Sequence, residues 1–212
     1  MAYFPGLSRD DFQKILVDGE TTQSRLARAL IEQQTEFKPL PGFEMARDSA
    51  EYYRLQKDIN CDEVYPGIYI GDGFTAMNKD YLRHLGITHV LNAAEGNRFG
   101  CVSTNQHFYK GTDIKYLGLP LTDLPTTDIS KYFYTAAAFI EDAVNRRGRV
   151  YVHCVMGISR SATCVIAYLM IKKHMLAAEA IRKIRRNRAI HPNDGFLRQL
   201  AALDNQLRRS RL

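Results

Sequence analysis

Nowhere in its 212 residues does this chain carry an apolar run long enough to cross a bilayer. The longest, Ala162 to Ile171, is closed by Lys172-Lys173, whereas a spanning helix needs about 20 apolar residues. No charged and apolar leader opens the sequence, and no lipidation motif stands at either end. Cysteine is sparse, with four residues. Together these absences argue for a reducing, cytoplasmic and/or nuclear setting and against a membrane partner. The six histidines show no ligand-like spacing with cysteines or carboxylates, so neither a metal nor another cofactor is expected. Internal repeats and low-complexity tracts are missing as well.

Charge is present but uneven. The net +6 arises from residues 172–212, which hold eleven Lys/Arg against three Asp/Glu, centred on Arg182-Lys183-Ile184-Arg185-Arg186-Asn187-Arg188. That run lacks the interleaved aromatics of a nucleic-acid surface, so no nucleic-acid partner is expected. It reads as a solvated helix face, and beside an anion site it would also attract acidic substrates.

The organisation changes near residue 61. Residues 1–60 read as a helical N-terminal extension: Ser8 to Asp11 resembles a capping box, a second piece runs from Thr22 to Phe37, and a third starts at Asp48. Residues 61–209 read as one α/β domain. Short β-rich runs occur at Ile68–Ile70, Ile87–Leu91, Lys115–Leu117 and Val150–Val152. Helical stretches fall near 75–85, 130–146, 160–173, 175–188 and 194–209, with apolar stripes such as Phe133, Ala137, Ile140 and Val144. Strands separated by helices predict a central, mostly parallel twisted sheet flanked by helices, with functional loops at the C-terminal strand ends. The helix from Ala162 is apolar on every side and is expected to be buried, with Cys164 in the core.

His153-Cys154-Val155-Met156-Gly157-Ile158-Ser159-Arg160-Ser161 carries the chemistry. A strand ending at His153 and a helix starting near Arg160 leave a loop whose N–H groups can wrap an anion. Arg160 can add a planar fork of donors to two phosphate oxygens. The same positive surroundings, with the helix dipole, would hold Cys154 as a thiolate. Cys61, Cys101 and Cys164 have no arginine six residues on. Val155, Met156, Gly157, Ile158, Ser159 and Arg160 are therefore the substrate-binding candidates, with Cys154 as nucleophile.

A thiolate attacking phosphorus must expel an alkoxide or phenolate, and that oxygen needs a proton. The loop after Leu117 offers Asp123 as general acid, while Asp128, directly before a helix, reads as an N-cap. Ionised Asp123 would then activate water against the cysteinyl-phosphate. Ser161 can donate to the leaving sulfur or cap the helix start, and His153 orders Cys154 from behind.

These residues resemble the cysteine-dependent protein tyrosine phosphatases, in the small atypical dual-specificity group of Vaccinia H1-related type. The similarity spans roughly Val64 to Leu207 and includes Gly86 to Gly96, Tyr116-Leu117-Gly118, Ser159-Arg160-Ser161, Ala167-Tyr168-Leu169-Met170 and Pro192 to Phe196. The resemblance implies a shallow cleft that admits phosphotyrosine, phosphoserine and phosphothreonine in proteins, with MAP kinases as family-level substrates. It supports the roles given to Cys154, Arg160, Asp123 and Ser161. It also implies that Arg188 binds a second substrate phosphate; the residue pattern, which puts Arg188 on the face of Ile181, equally allows an arginine whose stem lies on the core. Val155 and Met156 are apolar where that type carries charge, which weakens a preference for doubly phosphorylated peptides. Inositide-directed loops usually carry lysines here, and this one has none. A phosphoprotein-binding module without turnover is the competing reading.

Overall fold

The structure is a computed structural model that describes residues 19–43 and 58–211. The two helix starts expected at Ser8 and Asp48 lie outside them. Five strands form one sheet: β1 (Cys61–Tyr65), β2 (Ile68–Gly71), β3 (His89–Asn92), β4 (Lys115–Gly118) and β5 (Val150–His153). Their spatial order is β1-β2-β5-β3-β4, and every pairing is parallel except β1 with β2. The mostly parallel sheet expected from the sequence is thus present.

Strands β2, β3 and β5 are buried along their whole length. This is why they read as continuous apolar runs rather than alternating ones. Strand β1 was not expected. It is an antiparallel edge with a half-exposed pattern, and Asp62 and Glu63 disguise it. The helix expected over 75–85 is two short helices, α2 (Gly73–Met77) and α3 (Lys79–His84). Asn78 breaks them apart: its backbone leaves the helical region, and its side chain accepts the Tyr81 N–H to start α3.

Helices α4 (Phe133–Asn145), α5 (Arg160–Lys172), α6 (Ala177–Arg185) and α7 (Asp194–Ser210) cover one face of the sheet. A smaller core built on Tyr81, Leu82, Tyr109 and Tyr151 fills the other. Every α5 residue from Arg160 to Met170 is buried, as its all-round apolar character predicts. That helix is the floor on which the Cys154 loop rests.

The piece expected from Thr22 is α1 (Gln23–Glu32), shorter than its pattern suggested, with Thr22 as its N-cap. Leu26, Ala29 and Leu30 pack into the main core, where α1 lies on α6 and α7. The chain then runs beside α6. Glu32 pairs with Arg182 at 3.3 Å and Glu36 with Arg186 at 3.1 Å. Two arginines of the basic run therefore face the chain's own carboxylates while staying half-exposed, in keeping with a solvated helix face.

Candidate active site

The backbone changes direction sharply after β5. Cys154 follows the last buried strand residue, and Gly157 sits in the left-handed region at φ 68°. A Cβ there would overlap the Gly71 carbonyl and lie 2.7 Å from the Arg188 guanidinium. Only glycine fits this turn. The loop closes where α5 begins at Arg160.

Donors converge on the cysteine sulfur. The Gly157 N–H donates to Cys154 Sγ at 3.2 Å, and the Ser161 hydroxyl lies 3.4 Å from it. Burial raises the Cys154 pKa, yet hydrogen bonds from Ser161 and Ile158 and the Arg160 charge outweigh it, so the net shift is downward. At the other buried thiols burial wins, for Cys61 even against a hydrogen bond from Tyr81. Burial pushes Cys164 up to about 12 and Cys61 higher still.

Arg160 is buried, with Nη1 tied to the Gly100 and Leu121 carbonyls at 2.8 and 3.1 Å. Its Nε lies 3.5 Å from Asp123 Oδ2, an ion-pair distance without hydrogen-bond alignment. A buried guanidinium N–H without a partner is costly. A phosphate oxygen would satisfy it.

Asp123 is held above the loop by residues distant in sequence. Its Oδ1 accepts from Ser159 Oγ at 2.7 Å and from Asn193 Nδ2 at 2.8 Å. Asn193 is also the N-cap of α7 through its Oδ1. Gly195, two residues on, lies so close to the Pro125 carbonyl that any Cβ would overlap it. Gln199 accepts the Ile129 and Ser130 N–H groups and donates to Thr127 O. The first turns of α7 thus hold the whole acid loop. Sequence reasoning assigned Asn193 and Gln199 no part here; the Asn-Asp-Gly helix start was the available signal. Asp128, expected as an N-cap, stands one residue ahead of Ile129, the N-cap of the short 3₁₀ turn before α4; it accepts from the Ser130 N–H and hydroxyl and lies outside the cleft.

His153 is fully buried with Nδ1 3.1 Å from the Cys154 carbonyl, an acceptor, which assigns the proton to Nδ1. Burial holds its pKa down at about 4, against the small upward pull of that bond, so the ring is neutral. It faces the back of the loop.

Asp123, Cys154, Val155, Met156, Ile158, Ser159 and Arg160 border one cleft of about 680 Å³. Phe99, Met156 and Pro125 give it an apolar wall, and His191, Asn193 and Asp194 a polar one. Arg188 does not border this cleft. It lies behind the loop, donating to the Gly157 and Met156 carbonyls and to Asp62. Among the described residues no cluster of His, Cys, Asp or Glu could hold a metal.

Comparison with known proteins agrees with this geometry. Residues 68–206 match the model of the dual specificity phosphatase catalytic domain. The chain is 49% identical over 150 residues to human dual specificity protein phosphatase 26, covering 70% of this chain and 69% of that one. It is equally similar, 49% over 151 residues, to mouse dual specificity protein phosphatase 13B, covering 71% and 75%. Among solved structures, the human tyrosine phosphatase-like serine/threonine/tyrosine-interacting protein superposes with a TM-score of 0.61 at 31% identity, over 68% of this chain and 95% of that one. A loop whose donors converge on a cysteine sulfur, on a mostly parallel sheet whose strands β2 to β5 all lie within the match to that catalytic domain, makes this chain a member of the dual specificity phosphatase family, a cysteine-dependent protein phosphatase.

Proposed function

We propose that Cys154 is the nucleophile, Arg160 and the loop N–H groups the phosphate binder, and Asp123 the general acid. The observation that carries this reading is the convergence of the Gly157 N–H and Ser161 hydroxyl on one sulfur beneath Asp123 and Arg160.

The thiolate attacks phosphorus as the bond to the seryl, threonyl or tyrosyl oxygen breaks. That oxygen takes a proton from Asp123. Oδ1 already accepts two hydrogen bonds, so Oδ2 is the oxygen that carries the proton. In the second step water attacks the cysteinyl-phosphate and gives its proton to Asp123. The S–P bond breaks, with the Ser161 hydroxyl stabilising the departing thiolate. Neutral His153 holds the Cys154 carbonyl and moves no proton.

The substrates we propose are phosphorylated proteins of the cytoplasm or nucleus, with MAP kinases as a group to test. The apolar wall of Phe99, Met156 and Pro125 suits a phosphorylated side chain with apolar neighbours. Among the described residues Arg160 is the only Lys or Arg bordering the cleft, which disfavours polyanionic inositides and nucleic acid. A Cys154→Ser, Asp123→Ala trap expressed in cells tests the reading. It should retain phosphoproteins that mass spectrometry identifies and that wild-type enzyme dephosphorylates. Equal turnover by Cys154→Ser and wild type would refute the assignment.

A further inference from the structure

Arg188 is 6% exposed, and each of its three nitrogens has a defined partner. Nε donates to the Gly157 carbonyl at 2.7 Å and Nη2 to the Met156 carbonyl at 3.0 Å. Nη1 pairs with Asp62 Oδ2 at 2.7 Å, on the edge strand β1. The two carbonyls belong to consecutive peptide units of the signature loop. In a trans peptide the C=O and the following N–H are coplanar and point in opposite directions. The Met156 carbonyl therefore fixes the Gly157 N–H, and the Gly157 carbonyl fixes the Ile158 N–H. Those are two of the N–H groups aimed at the cysteine: Gly157 N–H bonds Cys154 Sγ at 3.2 Å, and the Ile158 N–H helps hold its pKa down.

One cation thus grips the oxygen ends of the same two peptide units whose nitrogen ends serve the sulfur. We propose that Arg188, braced by Asp62, is a positioning residue that aims and polarises these two N–H groups at the thiolate and at the phosphate that replaces it, and that it binds no second substrate phosphate. Bonds from a charged donor are the stronger kind, and hydrogen bonds in series polarise one another. Gly157 sits in the left-handed region, so nothing in its own side chain holds the turn. The Arg188 grip supplies the restraint.

The surroundings also disfavour a second phosphate. The cavity on the outer side of Arg188, about 510 Å³, is bordered by Glu36, Asp62 and Asp72 against Lys38. A phosphate there would meet three carboxylates and have to displace Asp62 from Arg188. The chemical groups facing Cys154 itself are Ser161 and Arg160 on α5, Asp123 across the cleft, neutral His153 on β5, and Cys164 from within α5. The Arg188 variants leave all of them in place.

The test is the pH dependence of Cys154 carboxymethylation by iodoacetate, read by mass spectrometry of the Cys154 peptide. This part needs no turnover and stands apart from the phosphatase reading, on which only the second part rests. In Arg188→Ala the midpoint should rise by roughly one pH unit, an about tenfold lower thiolate fraction below it. In Asp62→Asn it should rise less. The second part compares kcat/KM on singly and doubly phosphorylated versions of one peptide, and both should fall by the same factor. A folded Arg188→Ala protein with the wild-type midpoint would overturn the proposal, as would a loss confined to the doubly phosphorylated peptide. If Arg188→Ala does not fold, Arg188→Lys and Asp62→Asn are judged by the same two readouts. A raised midpoint in a chain that turns over no phosphopeptide would sink the phosphatase reading and leave the brace standing.

Discussion

Replacing Asp123 with asparagine removes the proton and little else. The side chain keeps its shape, and its carbonyl oxygen can still accept from Ser159 and Asn193, as Oδ1 does now at 2.7 and 2.8 Å. What disappears is an ionisable oxygen at Oδ2, 3.5 Å from Arg160 Nε. General acid catalysis contributes about 10²–10⁴ in rate, so Asp123→Asn should lower kcat/KM on phosphotyrosine by that factor, roughly 3–5 kcal/mol of barrier. The deficit should follow the need for the proton. A leaving phenol of pKa about 10, such as tyrosine, should show all of it, and an activated phenol several units more acidic should show little. The assay is kcat/KM for a series of aryl phosphates, because it reports the step that expels the phenol and not the later attack of water, with wild type and variant plotted against leaving-group pKa. Wild type should give a shallow line and the variant a steep one. Parallel lines, with an equal loss for every leaving group, would refute Asp123 as the acid and reduce it to a structural contact.

Three further outcomes are expected. Gly195→Ala places a methyl against the Pro125 carbonyl, so the acid loop must shift; overpacking of this kind destabilises by about 1–3 kcal/mol, and thermal melting together with a drop in kcat on phosphotyrosine checks it. His153 has a pKa lowered by burial from 6.5 to about 4, so the unfolded chain binds the proton first as pH falls. Stability should therefore decline from pH 6.5 to pH 4 by about 3 kcal/mol and level off below; urea unfolding at both ends of that window should show the decline in wild type and lose it in His153→Asn. Mild peroxide should inactivate the enzyme reversibly, because the low-pKa Cys154 reaches the sulfenic stage ahead of the raised Cys61 and Cys164 thiols; failure of a thiol reductant to restore activity would count against it.

Three of the four strands that the sequence announced are buried along their whole length, and the fourth, β4, is a half-exposed edge. Ile68–Gly71 and Val150–His153 read as strands because parallel pairing leaves no polar alternation. Cys61–Tyr65 was hidden because it is an antiparallel edge, and its two acidic residues read as loop. Helix boundaries slipped where a side chain, rather than periodicity, ended the helix, as Asn78 does between α2 and α3.

The site divides in the same way. Cys154 to Ser161 is contiguous, so a strand, a turn and a helix start suffice to place sulfur, amides and guanidinium around one point, and those residues could be named from the chain alone. Contacts across the fold had no such local period to reveal them. Asp123 reaches its partner Ser159 across 36 residues and Asn193 across 70. Arg188 meets Asp62 across 126. The sequence determined that this chain could hold a phosphate over a thiolate. The tertiary structure decided that Ser159 and Asn193 occupy one oxygen of Asp123 and put Arg188 behind the loop, because both depend on helices and an edge strand that meet only after the sheet has formed.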